Sequence, residues 1–191
     1  MYSLFLEYKR THFMPSAPLT GLHRQVWIAL LAALIAVGAL IQIPIGPVPV
    51  TLQTFFIVLA GFILGPVSGA AAMLLYIAAG AIGLPIFAGG KAGFAVLFGP
   101  TGGYLIGFIG TAYLAGLGKY SKSPLMPLVW GILGLAVVYL VGFLRLKFVL
   151  DISYVKAAAI GITPFIPGDL IKVAAATIAL RFLRKQRLLP E

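Results

Sequence analysis

The sequence predicts an all-α integral membrane protein, a bundle of six transmembrane helices with a re-entrant or capping loop between the third and the fourth. Of its 191 residues, 61% are hydrophobic and only 9% are charged, which is far from the composition of soluble domains. Six spans of about 20 residues use roughly 120 residues, so the chain has room for this bundle and for short connections only. With both termini inside the cell, nine of the 14 Lys and Arg residues are cytoplasmic and four are outside, in line with the positive-inside tendency.

Three segments are predicted along the chain: a cytoplasmic segment over residues 1–23, the membrane domain over 24–184, and a basic cytoplasmic tail over 185–191. The first apolar run, 26–43, is interpreted as a transmembrane helix, because it is longer than the core of a signal peptide and ends without a small-residue cleavage site. Glycine, proline or basic residues separate the later runs. Further spans are predicted at 51–64, 66–82, 102–117, 125–144 and 167–183.

The second span is short for a membrane helix. Its 14 residues, 51–64, cannot cross about 30 Å of hydrocarbon as a helix alone, so the chain before it has to contribute. That lead-in, 45–50, contains two prolines and would leave unpaired backbone groups if it faced lipid. We therefore expect it to be packed inside the protein or to line a polar cavity.

Residues 83–101 are the second departure from plain spanning helices. The stretch is apolar enough to lie at membrane depth, yet its glycines and prolines exclude one continuous helix. An ordinary surface turn would explain the glycines but not the aromatic side chains Phe87, Phe94 and Phe98. The pattern favours a re-entrant loop or a loop that covers a ligand.

Asp169 and Lys172 lie three residues apart near the start of the last predicted helix, in a chain with only four acidic side chains. Either charge costs roughly 2.5 to 3.5 kcal/mol deep in a spanning helix, so the pair needs compensation. Side chains three positions apart share one face of a helix and can neutralise each other. A structural ion pair or interfacial snorkelling is one interpretation, and a binding site for a polar molecule entering from the side of Pro167 is the other.

The first predicted helix carries small residues at helical spacing in two registers, Ala29 with Ala33 and Ala32 with Ala36. Small side chains let helix backbones approach closely in a membrane. This face is a candidate dock for another membrane subunit, although alanines also serve ordinary bundle packing.

Catalytic and metal chemistry have almost no candidate residues. The chain has no cysteine, and both histidines precede the first span, so we predict no metal site, no cofactor and no catalytic residue. The run Gly89-Gly90-Lys91 resembles part of a phosphate-binding loop, but Ala92 stands where that loop requires Ser or Thr. The polar residues predicted within the membrane suit a pocket for one small molecule with polar ends: Gln42, Thr51, Gln53, Thr54, Lys91, Thr101, Tyr104, Asp169 and Lys172.

Four ordered motifs resemble those of the BioY family: IPIGPVPVTLQT at 43–54, GAIGLPIFAGG at 80–90, FGPTGGYL at 98–105 and PGDLIK at 167–172. The family comprises the biotin-specific substrate-binding components of prokaryotic energy-coupling factor transporters, and the resemblance runs from about Arg24 to Arg181. It implies a multi-pass plasma-membrane protein that captures biotin from outside. It also implies partners, namely a transmembrane coupling subunit, expected to dock on the alanine face of the first helix, and a pair of cytoplasmic ATPases.

The resemblance assigns biotin contacts to Asp169 and Lys172, and the chemistry of biotin agrees. Its ureido N–H groups suit a carboxylate acceptor, and its valerate carboxylate suits an ammonium. Neutral hydrogen bonds are expected from Gln53 and Tyr104, while Phe87 and the backbone of Gly89 and Gly90 are expected to close over the bicycle.

Some family members have an asparagine in this loop to hold the ureido group, where this chain has residues 88–91. The groups that complete that half of the pocket therefore stay open. Cβ atoms three positions apart on a helix are only about 5 to 6 Å from each other, so Asp169 and Lys172 can also serve the same end of biotin.

Two alternatives stay open at the level of sequence. The same scaffold suits another carboxylated vitamin, either as a substrate-binding component or as a transporter that works alone. A membrane-embedded transferase would need a nucleophile or a metal-binding cluster, and the sequence offers neither.

Overall fold

The computed structural model describes residues 21–186 and residue 189. The predicted cytoplasmic segment 1–23 therefore lies almost entirely outside the described residues, and so does most of the predicted tail 185–191. The described chain is mostly helical, as predicted, with a small two-stranded sheet and a 3-10 helix at Gly118–Tyr120. Its α-helices are α1 (Gly21–Leu40), α2 (Gln53–Leu64), α3 (Pro66–Ala81), α4 (Ala95–Phe98), α5 (Gly102–Leu117), α6 (Met126–Leu150), α7 (Tyr154–Gly161) and α8 (Ile166–Lys185).

The predicted count of six helices is not confirmed, because the described residues contain eight. Two of the eight are short: α4 lies inside the stretch 83–101, and α7 follows α6. The other six fall on the predicted spans, with ends that differ by a few residues. Within the described part of the chain, α1 and α6 are long and apolar enough to cross a membrane.

The largest difference in helix length occurs at the end of α6. The sequence predicts an end at residue 144, before the charges of Arg145 and Lys147, but the helix continues to Leu150. It stops where Asp151 adopts a left-handed backbone with φ 49°. Ser153 then caps α7, because its side chain accepts a hydrogen bond from the backbone N–H of Lys156 at 3.3 Å.

A small hairpin leads into α2. Strand β1 (Gln42–Ile43) pairs antiparallel with β2 (Val50–Thr51), and the N–H of Leu52 donates to the carbonyl of Ile41 at 3.0 Å. These bonds pair the residues on the two sides of the proline-rich lead-in and so hold it as a closed loop. Val48 is buried, but residues 43–47 are exposed, so only the second half of the lead-in packs inside the protein.

The stretch between α3 and α5 contains a tight turn, here called the loop hairpin (residues 87–91). The N–H of Phe87 donates to the carbonyl of Lys91 at 3.0 Å, and the N–H of Gly90 donates to the carbonyl of Phe87 at 2.9 Å. Gly89 and Gly90 have φ values of 77° and 68°, in the left-handed region that glycine adopts without strain. The turn geometry therefore explains why glycines occupy these two positions.

The loop hairpin is fastened to the end of α3 by Phe87. This ring is 1% exposed and packs edge-on against Tyr76, with 5.6 Å between centroids. A Cβ at Gly80 would overlap the ring, so the close approach requires glycine there. Phe94 and Phe98 are 63% and 67% exposed, which means that only one of the three aromatic residues of this stretch packs inside. The re-entrant form of the loop stays a prediction.

Arginines of α8 close the opposite end of the bundle. Arg184 donates to the carbonyls of Gly118 and Lys119 at 3.0 and 2.6 Å, and Arg181 donates to the carbonyl of Pro124 at 2.6 Å. These bonds join α8 to backbone carbonyls of the 3-10 helix and of the turn before α6. The loop hairpin and the arginine cluster thus mark two different ends of the helical bundle.

Candidate functional site

A cavity opens between the starts of α2 and α8 and the sides of α5 and α6, and the loop hairpin forms another of its walls. The space within its walls, counted together with the open solvent at its mouth, is about 700 Å³. Its wall is mostly apolar and includes Val48, Phe87, Phe108, Val138 and Phe165. Polar side chains occupy a few positions on it: Thr51, Gln53, Thr54, Lys91, Thr101 and Asp169.

Asp169 contributes a buried carboxylate to this wall. It is 4% exposed; one oxygen accepts a hydrogen bond from the Lys172 ammonium at 2.8 Å, and the other accepts one from the Tyr139 hydroxyl at 2.9 Å. Its place in the first turn of α8 also favours a negative charge. A carboxylate has about four lone-pair sites, so Asp169 can accept further bonds from a ligand N–H.

Lys172 is not brought to the surface of the cavity. Its ammonium donates to Asp169 and to the backbone carbonyl of Thr51, at 2.8 and 2.6 Å. Two of its three protons are therefore already donated within the protein. This arrangement joins α8 to β2 and neutralises Asp169, and it favours the structural interpretation of Lys172 over contact with a ligand carboxylate.

Gln53 offers an unused hydrogen-bond donor. The residue lines the cavity and is only 3% exposed, and its side-chain nitrogen makes no hydrogen bond of regular geometry with the described residues, although the side chain interacts with the Tyr76 hydroxyl. A buried donor without a partner costs about 1 to 3 kcal/mol, so a ligand acceptor at this position is favourable. The structure thus brings Gln53 and Asp169, both predicted from the sequence, to the same cavity.

Tyr104 reaches the cavity with its ring but uses its hydroxyl elsewhere. The hydroxyl donates to the carbonyl of Gly161, at the end of α7, at 2.8 Å. The ring lies against Gly142 of α6, where an added Cβ would overlap it. The hydroxyl has no proton left to donate to a ligand, and the tyrosine joins α5, α6 and α7.

The loop hairpin presents Phe87 and Lys91 to the cavity, whereas Gly89 and Gly90 are not among its lining residues. The two glycines act through the turn that positions their neighbours. Lys91 is an exposed residue at the rim, and its ammonium makes no hydrogen bond or ion pair with the described residues.

Tyr139 is the functional candidate that the sequence reasoning missed. It lines the cavity from α6 and holds one oxygen of Asp169. The sequence does contain a signal for Tyr139, because a tyrosine in the middle of an apolar span needs a hydrogen-bond partner for its hydroxyl. Phe108 and Phe165 were not predicted either, and nothing in their local sequence separates them from ordinary core aromatics.

The two alanine registers of α1 lie on different faces. Ala32 is buried, with 6% exposure, and Ala36 is partly buried against the core. Ala29 and Ala33 are exposed. Only Ala29 and Ala33 are therefore free to meet another helix, and the predicted dock cannot include Ala32 without repacking the core.

Several known proteins are similar to this chain. The sequence profile of the BioY family matches residues 11–188. The biotin transporter BioY of Thermotoga maritima is 50% identical over 152 residues, which cover 78% of this chain and 89% of that protein. The probable biotin transporter BioY of Pyrococcus horikoshii is 46% identical over 152 residues, covering 79% and 90%. A crystal structure of the S-component for biotin from an ECF-type ABC transporter superposes with a TM-score of 0.80 at 33% identity, covering 89% of this chain and 96% of that one.

Proposed function

Because the chain belongs to the BioY family, we propose that it is the biotin-capturing component of an uptake transporter, which binds biotin from outside the cell and releases it inside. It is a transporter component rather than an enzyme. ATP hydrolysis is assigned to partner subunits, a pair of cytoplasmic ATPases that act through a transmembrane coupling subunit.

One observation carries the proposal: a buried amide donor that makes no regular hydrogen bond with the described residues and a buried carboxylate line the same apolar cavity. Biotin has a ureido ring whose carbonyl accepts hydrogen bonds and whose two N–H groups donate them. The Gln53 amide nitrogen suits the carbonyl, and Asp169 suits an N–H. The remaining ring surface of biotin is apolar and matches Phe87, Phe108 and Phe165.

The proposed topology has six spans, α1, α2, α3, α5, α6 and α8, with both termini in the cytoplasm. Two observations support this orientation. Arg181, Arg184 and Lys119 lie together at one end of the bundle, which suits the anionic inner leaflet. The cavity lies at the start of α8, at the other end, and so opens outward.

The exposed alanines of α1 are the proposed dock for the coupling subunit. Ala29 and Ala33 lie one turn apart and face outward, so a partner helix can approach the backbone of α1 closely. Ala32 and Ala36 instead serve the contact between α1 and the helices behind it.

Calorimetric titration of the purified chain in detergent tests the proposal. We expect biotin to bind tightly and lipoate to compete poorly, because lipoate has the same valerate tail but no ureido ring to bond Gln53 and Asp169. Absence of biotin binding by folded protein would contradict the function. Equal binding of lipoate would indicate that the site recognises another carboxylated vitamin.

A further inference from the structure

The charges around the cavity are unevenly compensated. Asp169 and Lys172 form an ion pair at 2.8 Å, and both are largely buried, with side-chain exposures of 6% and 13%. Lys91 lies on the loop hairpin at the rim, and no described residue pairs with its ammonium. The cavity and its rim therefore carry one unpaired positive charge, which suits a ligand with one negative charge.

The depth of the cavity is a poor place for a ligand carboxylate. A carboxylate placed there would lie beside Asp169, and two like charges in a buried site repel each other strongly. Lys172 offers little compensation, since it already donates to Asp169 and to the Thr51 carbonyl. A neutral group that donates and accepts hydrogen bonds fits the deep wall better.

The rim suits the carboxylate because Lys91 is both positioned and unpaired. Its backbone carbonyl is held by the Phe87 N–H at 3.0 Å, and Phe87 is itself locked against α3. The lysine stem is flexible and can follow a ligand from this fixed base. An exposed ammonium keeps its hydration until the ligand arrives, so it needs no protein partner.

We infer that Lys91 binds the carboxylate of the ligand, which lies with its neutral ring at Gln53 and Asp169 and its anionic tail at the loop hairpin. This inference rests on the proposed function and adds the orientation of the ligand within the site. It also gives a role to the loop hairpin, where the sequence left the partner groups open.

The test compares biotin with its primary amide, which lacks the negative charge, by calorimetric titration of the wild type and two single variants. In Lys91→Met we expect the affinity for biotin to fall about 10-fold, the effect of losing one partly screened charged hydrogen bond. The affinity for the amide should change by less than about twofold, since no charge pair is lost. Lys156→Met is the matched control, because Lys156 is an exposed lysine on α7 outside the cavity lining, and it should leave both affinities unchanged.

Lys91→Arg keeps the positive charge, so we expect this variant to bind biotin more tightly than the amide, by the same ratio as the wild type does. The inference is overturned if Lys91→Met still prefers biotin by the wild-type ratio, and most clearly if Lys172→Met abolishes that preference. In both cases biotin binding by the wild type would leave the proposed function standing. If the folded wild type does not bind biotin, the proposed function itself fails.

Discussion

The two sides of the cavity differ in whether their charged side chains have partners within the protein. On the inner side, Asp169, Lys172 and Tyr139 hold one another by hydrogen bonds of 2.8 and 2.9 Å, and Thr51 fixes the ammonium through its carbonyl. On the outer side, Lys91 has no partner among the described residues. The difference follows from burial, because a buried charge without a partner is costly, whereas a hydrated one is not. The charges of the inner side are therefore paired within the protein itself, whereas the charge of Lys91 on the outer side is paired only when a ligand binds.

Asp169→Asn should break the inner side and have the largest effect. The change leaves the Lys172 ammonium without its counter-ion, and removing one partner of a buried pair costs about 3 to 5 kcal/mol. We expect a lower midpoint of thermal unfolding in detergent and no measurable biotin binding. Asp151→Asn is the matched control, because Asp151 is exposed and asparagine tolerates its left-handed backbone.

The double variant Asp169→Asn with Lys172→Met separates the two roles of the pair. Removing both charges should restore much of the thermal stability, since no unpaired charge remains. Biotin affinity should stay lost, because the acceptor for the ureido N–H is still missing. Recovery of wild-type affinity in this variant would show that Asp169 serves stability only.

Gln53→Leu tests the inner side separately, because the Gln53 amide nitrogen makes no regular hydrogen bond with the described residues. We expect biotin affinity to fall by about 1 to 3 kcal/mol, because the ureido carbonyl loses its partner. Thermal stability should be kept or raised, since an unpaired buried nitrogen is removed and the neighbouring Tyr76 keeps its bond to the Ile86 carbonyl at 3.1 Å. Gln25→Leu, on the exposed start of α1, is the control. A loss of stability with unchanged affinity would argue against a ligand contact.

Gly90→Ala tests the outer side through its backbone. The φ of 68° makes alanine strained by about 1 to 2 kcal/mol, although an added Cβ has open space around it. We expect biotin affinity to fall several-fold as the loop hairpin shifts Phe87 and Lys91, with little change in the unfolding midpoint. Gly99→Ala in the same stretch should be silent, because Gly99 has a φ of −76° and only ordinary contacts around its Cβ position.

Ala33→Trp should have the smallest effect on the isolated chain and leave both sides of the cavity intact. The residue faces outward, so we expect normal folding and biotin binding, but loss of co-purification with the coupling subunit in cells that supply it. Ala32→Trp should instead destabilise the chain, because Ala32 is buried. Wild-type assembly and uptake with tryptophan at both Ala29 and Ala33 would remove the docking role from this face.

Sequence reasoning found the elements whose signal is local and periodic. The ends of α2, α3 and α5 lie within two residues of the predicted spans, because Gly65-Pro66 and the Gly-Thr-rich boundary near residue 101 interrupt otherwise apolar runs. It ended α6 at residue 144, because the charged residues there look like the end of an apolar span although the helix continues through them. It also missed α7, whose eight residues are too few to be recognised as a span. Whether a polar end of a helix lies in water cannot be read from composition alone.

The sequence predicted which residues belong to the site better than it predicted what each of them does there. Asp169, Gln53 and Phe87 stand out as rare or oddly placed residues in an apolar chain, and all three line the cavity. The roles depend on partners far apart in sequence: Lys172 meets the Thr51 carbonyl 121 residues away, and the Tyr104 hydroxyl meets Gly161 57 residues away. Such pairings are set by packing, and spacing along one helix does not contain them.

The contact of Phe87 with Gly80 has a consequence for how relatives of this chain can diverge. The Phe87 ring fills the space that a methyl group at position 80 would need. The residue that is tolerated at either position therefore depends on the residue at the other. A larger residue at 80 is acceptable only in a chain where position 87 has become smaller, so Gly80→Ala should be rescued by Phe87→Leu. Across many homologous sequences, these two alignment columns should therefore vary together in size, and chains that break the rule should carry a differently shaped loop.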